Sequence, residues 1–211
     1  MSLQTRQLAC TRGERTLFAN LELTVAPGNA LRIVGSNGTG KTSLLRMLCG
    51  LSMPAFGAVL WNGQNIRSNR EEFNRQLTYL GHAPAIKDDL TSWENVVVAS
   101  TLAGHPIHQD DAYDALDRLG LERAADLPAR VLSQGQRKRV ALARLQFCTH
   151  NPLWILDEPF VALDVASVAE LQGTMNRHLD NNGMIIFTTH QEVAFDAGRL
   201  HSLDLNQGEP C

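Results

Sequence analysis

Residues 35–42 have the residue types and the spacing that are needed to hold a chain of phosphates. Their glycines let the backbone turn so that successive N–H groups point at phosphate oxygens. Lys41 can reach the β- and γ-phosphates of a nucleotide, and the hydroxyl of Thr42 can hold Mg²⁺. An apolar run, 30–34, precedes this loop and an amphipathic segment, 43–51, follows it, so a helix dipole adds to the site. The residues predicted to contact the nucleotide here are Gly35, Ser36, Asn37, Gly38, Thr39, Gly40, Lys41, Thr42 and Ser43.

A pair of carboxylates follows the apolar run 153–156. Burying such a pair at a strand end is costly unless the pair meets a cation. Asp157 is therefore predicted to complete the Mg²⁺ site with Thr42. Glu158, one residue further, is predicted to act as the general base that polarises an attacking water. Two solvated acids at an exposed strand end are the alternative, and the phosphate loop elsewhere in the chain argues against it.

A third motif, 132–136, precedes a stretch with helical spacing. Ser133 is a plausible N-cap, and with the N–H groups from Gly135 and Gln136 onward it forms a second anion site. Taken alone, this motif is more often an ordinary cap, but its position just before the acidic strand favours the anion site. Two phosphate sites in one chain are most simply explained by a head-to-tail pair, in which each second site closes on the partner's nucleotide.

The elements that position these motifs alternate strand with helix, which predicts an α/β fold with a mainly parallel central sheet. From about 91 to 146 the pattern is helical, so we predict a single domain, 1–211, with a helical insert at about 84–150. The predicted strands are 21–25, 30–34, 58–61, 77–80, 153–156, 184–188 and 200–205, the first of them antiparallel. The predicted helices are 43–51, 92–103, 110–120, 135–147 and 168–179.

Composition excludes several classes of protein. The chain has 211 residues, a formal net charge of -3 and a pI of about 6.1, so it lacks the basic footprint of a nucleic-acid-binding protein. The short basic run 137–139 is interpreted as a solvated helix face. No segment reads as a signal peptide or as a membrane span. The cysteines are far apart and predict free thiols rather than a zinc or redox site; they are Cys10, Cys49, Cys148 and Cys211.

In their order along the chain, these motifs resemble the ATP-binding subunits of ABC transporters, over essentially the full length. The family's Leu-Ser-Gly-Gly-Gln motif stands at 132–136 with Gln134 in place of a glycine, and 162–164 resembles its D-loop. His190 corresponds to the switch histidine near the γ-phosphate, although a lone histidine at a strand end is more often structural. The resemblance implies a P-loop NTPase core, an N-terminal antiparallel β-subdomain and an inserted helical subdomain.

The resemblance also implies ATP with Mg²⁺, an ATP-dependent head-to-tail homodimer and membrane-spanning transporter subunits as partners. Lys41, Glu158 and His190 are its implied catalytic residues, with Thr42 and Asp157 at the metal.

Two positions depart from the family pattern. The glutamine that follows the strand 77–80 in the family is replaced by Gly81 and His82, and a histidine can still donate or accept a hydrogen bond. The aromatic residue that stacks on adenine aligns with Arg12, whose guanidinium plane can also stack on a base. Phe18 is the alternative for the adenine contact. His82 and Arg12 are accordingly predicted to contact the nucleotide.

Within the family, segments 81–82, 90–95, 142–145, 154–160 and 188–191 look most like the cytochrome c maturation ATPase of the haem-exporter type. This resemblance implies a peripheral position on the cytoplasmic face of the inner membrane and a role in releasing a haem-loaded chaperone. Direct haem ligation by this chain is not expected, because its histidines are scattered and no C-x-x-C-H occurs. The alternatives are an importer or exporter of another substrate, a soluble non-transport ABC protein and a regulatory nucleotide-binding module.

Overall fold

The computed structural model describes residues 1–193, 195–196 and 198–207 as two β-sheets with α-helices packed around them. The strands are β1 (Leu3–Arg12), β2 (Arg15–Leu21), β3 (Thr24–Val25), β4 (Ala30–Val34), β5 (Phe56–Trp61), β6 (Gln64–Asn65), β7 (Leu77–Leu80), β8 (Leu153–Leu156), β9 (Met184–Thr188) and β10 (Leu200–Asp204). The helices are α1 (Lys41–Leu48), α2 (Arg70–Arg75), α3 (Ser92–Leu102), α4 (Gln109–Asp117), α5 (Gln134–Ala143) and α6 (Val165–Asp180).

The central sheet is parallel, with strand order β10-β4-β9-β8-β7. Every residue of β8 and β9 is buried, as expected for strands that are covered on both faces by other elements. Because all five strands run the same way, their carboxyl ends meet at one edge of the sheet. Chemistry-bearing segments that are far apart in sequence therefore converge there, as is usual for open α/β sheets.

The second sheet is antiparallel, with β1 between β2 and β5, and sequence analysis missed most of it. The predicted strand at 21–25 corresponds to β3 and the end of β2, whereas β1 was not predicted. The reason is local: the register of β1 against β5 shifts between Arg6 and Ala9, where Gln7 has a left-handed φ of 46°. A β-bulge of this kind breaks the period-2 pattern that identifies a strand.

The chain between β7 and β8 contains α3, α4 and α5, which pack on one another around buried alanine and leucine side chains. The helix α3 begins at a capping box: Thr91 Oγ1 accepts from the Glu94 backbone N–H, and Glu94 Oε2 accepts from the Thr91 N–H at 2.8 Å. Asn95 also binds the backbone of Lys87 in both directions. These contacts fix the start of α3 to the loop that precedes it.

The remaining elements agree with the predicted positions to within a few residues, except that α2 was not predicted. Cys10, Cys49 and Cys148 are buried free thiols, as expected, and burial raises the pKa of each; Cys211 lies outside the described residues. Within the described residues, no helix is both long enough and apolar enough to cross a bilayer.

Candidate functional site

The loop between β4 and α1 is shaped by its glycines. Gly38 and Gly40 have φ values of 85° and 102°, a region that L side chains rarely adopt. A Cβ on Gly40 would also be crowded, because it would lie 3.2 Å from the Leu17 side chain and 3.3 Å from the Phe18 ring. As the residue that caps α1, Gly40 offers no side-chain acceptor, so no side-chain cap covers the start of the helix. The loop is anchored from the chain's last described turn, where Asn206 Oδ1 accepts from the Ser36 hydroxyl at 2.8 Å.

Lys41 folds back over this loop. Its Nζ donates to the carbonyls of Gly35 and Ser36 at 2.7 and 3.1 Å. The ammonium is thus held on the concave side of the loop, next to the first turn of α1. A cation and a helix N-terminus in this arrangement form an anion site.

Asp157, which follows the carboxyl end of β8, contacts Thr42, the second residue of α1. Thr42 Oγ1 donates to Asp157 Oδ2 at 2.9 Å, and Asp157 is only 2% exposed. A hydroxyl and a buried carboxylate in contact are the hard oxygen ligands that Mg²⁺ prefers, so the residues present fit this ion.

Thr188, the last residue of β9, was missed by sequence analysis. Its hydroxyl donates to Asp157 Oδ1 at 2.7 Å and accepts from the Glu158 N–H at 2.8 Å. The signal was a hydroxyl residue at the end of an otherwise apolar run. The contacts of Thr188 with Asp157 and Glu158 depend on the pairing of β8 with β9, which the sequence does not reveal.

Glu158 has a left-handed backbone, with φ of 49°. For a residue other than glycine this conformation costs on the order of 1–3 kcal/mol, so the surroundings must hold it in place. The Glu158 side chain is 21% exposed and lies between two imidazoles. His82 Nδ1 is 3.7 Å from Glu158 Oε2, and His190 Nε2 is 3.6 Å from Oε1.

A cleft of about 510 Å³ opens beside the phosphate loop. Arg12 and Arg15, paired across β1 and β2, line it together with the loop, His82 and Glu158. Phe18, the alternative for the adenine contact, is 2% exposed and lies beneath Gly40. That alternative is therefore wrong, because a ring packed under the loop cannot stack on a base.

The motif 132–136 forms the start of α5. Ser133 Oγ accepts from the Gln136 N–H at 3.2 Å, and Gln136 Oε1 accepts from the Ser133 N–H at 2.9 Å, so the predicted cap has the form of a capping box. Gln134 is exposed in the first turn, which explains why a side chain is tolerated there. Gly135 is different, since a Cβ on it would lie 2.6 Å from the Ala162 carbonyl oxygen.

The cap of α5 does not reach the phosphate-loop cleft. Ser133, Gly135 and Gln136 are absent from the described residues that line that cleft. Next to the start of α5 lies a second cavity of about 310 Å³, and the residues that line it include Gln134 and Ala162 as well as His82 and Glu158. The single chain thus brings residues 35–43, 82, 157–158 and 190 together but leaves Ser133, Gly135 and Gln136 outside the phosphate cleft.

The basic run 137–139 is not a solvated helix face, contrary to the sequence-based interpretation. Arg137 pairs with Asp88 at 2.5 Å, and Arg139 pairs with Asp164 at 3.2 Å. Lys138 is 9% exposed and donates to the Asp157 carbonyl at 3.4 Å. Burial lowers the pKa of Lys138, and the nearby carboxylates of Asp157 and Glu158 oppose that effect. Helical periodicity could not identify this burial, because all three residues of the run are cationic.

Comparisons with known proteins agree with this geometry. The family described as ABC transporter matches residues 18–161. The cytochrome c biogenesis ATP-binding export protein CcmA of Aromatoleum aromaticum is 54% identical over 92% of this chain and 90% of its own length. The protein of the same name from Nitrosomonas europaea is 52% identical over 97% and 95%.

Among solved structures, an ABC transporter ATP-binding protein from Pyrococcus furiosus superposes with a TM-score of 0.83, at 21% identity and with complete coverage of both chains. A dimeric ATP-binding cassette in a post-hydrolysis state with ADP and Pi gives a TM-score of 0.75 at 22% identity, covering 90% of this chain and 88% of that one. These two structures support the fold.

Proposed function

The chain belongs to the ABC transporter family and, within it, to the cytochrome c biogenesis ATP-binding export proteins, and from this premise we propose that it drives an export step in cytochrome c biogenesis. It is an ATPase, and its family implies membrane-spanning partners. The observation that carries the proposal is the grouping of Lys41, Thr42, Asp157 and Glu158 at one edge of the sheet, together with more than 50% identity to such proteins over nearly the whole chain.

Binding of the nucleotide falls to the phosphate loop. The N–H groups at the start of α1 point at phosphate oxygens, and Lys41 exchanges its two carbonyl partners for the β- and γ-phosphates. Thr42 and Asp157 would hold Mg²⁺, which neutralises phosphate charge when it is bound. Arg12 lies in the same cleft and would stack on the base.

Glu158 and the two imidazoles beside it, those of His82 and His190, would carry out hydrolysis. The Glu158 carboxylate accepts a proton from a water whose oxygen attacks the γ-phosphorus, while the bond to the ADP oxygen breaks. The Thr188 hydroxyl accepts a hydrogen bond from the Glu158 N–H, which fixes the backbone from which the Glu158 carboxylate extends. His190 would donate to the γ-phosphate, and His82 takes the position of the family's glutamine.

The third motif requires a second copy of the chain. Because Ser133, Gly135 and Gln136 lie apart from the phosphate cleft, we propose that they bind the γ-phosphate held by a partner in a head-to-tail dimer. Closure on ATP and opening after hydrolysis would then move the membrane subunits. The chain would act from the cytoplasmic face of the inner membrane, as a peripheral subunit.

The step is proposed to be either the export of haem or the release of a haem-loaded chaperone, as the resemblance of the whole chain implies. An importer or exporter for another substrate uses the same ATP site. A soluble ABC protein would lack membrane partners altogether. Identity that extends over 90% or more of both sequences favours the cytochrome c assignment.

Glu158→Gln tests the chemical part of the proposal. The amide keeps the shape of the side chain but cannot take the proton, so ATP binding should persist while turnover falls about 100-fold or more. Fluorescent-nucleotide binding and phosphate release would be measured on the chain purified with its membrane subunits. Glu122→Gln, in an exposed turn, is the matched control. Unchanged turnover in Glu158→Gln would remove Glu158 from the role of base.

A Lys41→Ala strain tests the biological part. Loss of the phosphate-binding cation should abolish the ATPase and, with it, the accumulation of holo-cytochrome c. Haem staining of membrane and periplasmic fractions provides the measurement. If this strain makes a normal amount of holo-cytochrome c while the variant chain is present at the wild-type level, the cytochrome c assignment is ruled out. The assignment as an ATPase would not be affected by that result.

A further inference from the structure

Lys138 is a buried cation that the proposed mechanism does not use. It lies on the face of α5 that packs into the core, with Val140, Ala141 and Leu142 following it in the same buried stretch. Burying an ammonium costs free energy unless hydrogen bonds and opposite charges offset the loss of water. A methionine would fill the same space without that cost, so packing alone does not account for a lysine here.

The partners of Lys138 all belong to the catalytic segment. Its Nζ donates to the backbone carbonyl of Asp157 at 3.4 Å, in a buried contact. The charges that act on it are the carboxylates of Asp157 and Glu158. The neighbouring cations do not share this role, because Arg137 pairs with Asp88 and Arg139 with Asp164.

The hydrogen bond from Lys138 falls on one particular peptide unit. The Asp157 carbonyl and the Glu158 N–H are the two ends of the same planar group. Lys138 holds the carbonyl end at 3.4 Å, and Thr188 Oγ1 holds the N–H end at 2.8 Å. The next backbone torsion is the left-handed φ of Glu158, 49°, which is the strained torsion that places the carboxylate.

We propose that Lys138 is a positioning residue for Glu158: it clamps the peptide that joins Asp157 to Glu158 and supplies a fixed positive charge beside the two carboxylates. The inference rests on the proposed role of Glu158 as the base. It also connects the start of α5 with the catalytic segment, because the helix that carries Ser133 at its start carries Lys138 little more than one turn later. Contact of the partner's nucleotide with the start of α5 would therefore bear directly on the peptide that places the base.

Lys138→Met and Lys138→Gln test this proposal. Both side chains are unbranched at Cβ and only one atom shorter than lysine; methionine removes the charge and the donor, whereas glutamine removes the charge and keeps a donor. For Lys138→Met in the complex with its membrane subunits, kcat should fall about tenfold while KM for ATP changes less than about twofold. Glutamine should recover part of that loss. Arg70→Met, at an exposed cation at the start of α2, is the control for loss of a positive charge and should leave kcat unchanged.

The unfolding midpoint separates positioning from a structural role. Replacing a buried cation by an apolar side chain is often neutral or stabilising, so the thermal midpoint of Lys138→Met should not fall. A lower midpoint accompanied by an unchanged kcat in the folded fraction would overturn the proposal. Failure of both Lys138 variants to fold would overturn it as well, since Lys138 would then serve the fold.

A double-mutant cycle with Glu158→Gln shows whether Lys138 acts through Glu158. If it does, adding Lys138→Met to Glu158→Gln should reduce the residual turnover by less than twofold, because the side chain being positioned has already lost its function. A full tenfold further loss would sink the proposal. The Glu158→Gln single variant reports on the proposed function by itself, so failure of one inference is distinguishable from failure of the other.

Discussion

The starts of α1 and α5 are the two helix N-termini for which we propose a phosphate ligand, yet they are capped in opposite ways. At α1 the cap is Gly40, which offers no side-chain acceptor, and the first residue is Lys41. At α5 the cap is Ser133, and Ser133 and Gln136 satisfy each other's backbone N–H groups. The start of α1, which we call the first end, therefore has uncapped N–H groups and a cation available to an anion within one chain. At the start of α5, the second end, the side chains of the same chain already accept hydrogen bonds from the N–H groups of Ser133 and Gln136.

The helix α3 begins with the same kind of cap as α5. Its cap, Thr91 with Glu94, has the same reciprocal form as the cap of α5, and neither residue is among the described residues that line the phosphate cleft. By local geometry the start of α5 is therefore an ordinary cap. What sets it apart is its neighbour, because Gly135 approaches the Ala162 carbonyl so closely that no side chain fits between them.

Removing the cation at the first end should have the largest effect. Lys41→Ala deletes two charge-assisted hydrogen bonds to phosphate, each worth about 1.5–3 kcal/mol, so ATP affinity should fall about 100-fold or more. Equilibrium binding of a fluorescent ATP analogue measures this loss. Lys87→Ala, at an exposed lysine, is the control. An affinity within tenfold of wild type would mean that the helix start binds phosphate without help from the lysine.

Removing the cap at the second end should separate hydrolysis from binding. In Ser133→Ala, ATP affinity measured on the separate chain should stay within about twofold, because Ser133 lies outside its own phosphate cleft. Turnover in the assembled complex should fall about tenfold, from loss of a hydroxyl at the partner's γ-phosphate.

Thr91→Ala provides the matched control for Ser133→Ala. Loss of either cap should cost about 1 kcal/mol of stability, but only the cap of α5 should affect turnover. Equal losses of turnover in the two variants would mean that Ser133 acts through the stability of its helix, and the two-chain site would lose its support at that residue.

The contrast between the two ends also explains what the sequence could reveal. The first end is coded locally: glycines, a lysine and a threonine at fixed spacing, after the apolar strand β4, predicted the loop that is observed. The capping box of α5 was equally predictable from Ser133. In contrast, the burial of Lys138 and the contacts of Thr188 depend on which strand lies beside β8 and on which face of α5 turns inward. Those are properties of packing between distant segments, and residue spacing does not carry them.

The antiparallel sheet illustrates the same limit at the level of the fold. The strands β4, β8 and β9 were predicted because they are short, mainly apolar runs that are followed by recognisable motifs. The strand β1 alternates imperfectly, since its bulge near Gln7 changes which residues face the core. Its partner β5 contributes Gly57, whose Cβ would lie 2.3 Å from the Arg6 carbonyl, and only the paired structure reveals that close approach.

The smallest effect is expected at the rim of the first end, where Arg12 lines the cleft. A guanidinium that stacks on a base at an exposed site contributes about 0.5–1 kcal/mol, so Arg12→Ala should raise KM for ATP about threefold and leave kcat unchanged. Arg15→Ala is the matched comparison, because Arg15 pairs with Arg12 across the strands and lines the same cleft. If Arg12 stacks on the base, Arg12→Ala should weaken the binding of ATP more than the binding of inorganic triphosphate. If Arg12 only attracts phosphate, the substitution should weaken the binding of both to the same extent. Equal affinities for ATP in Arg12→Ala and wild type would remove Arg12 from the base contact and leave the first end as a site that recognises phosphate alone.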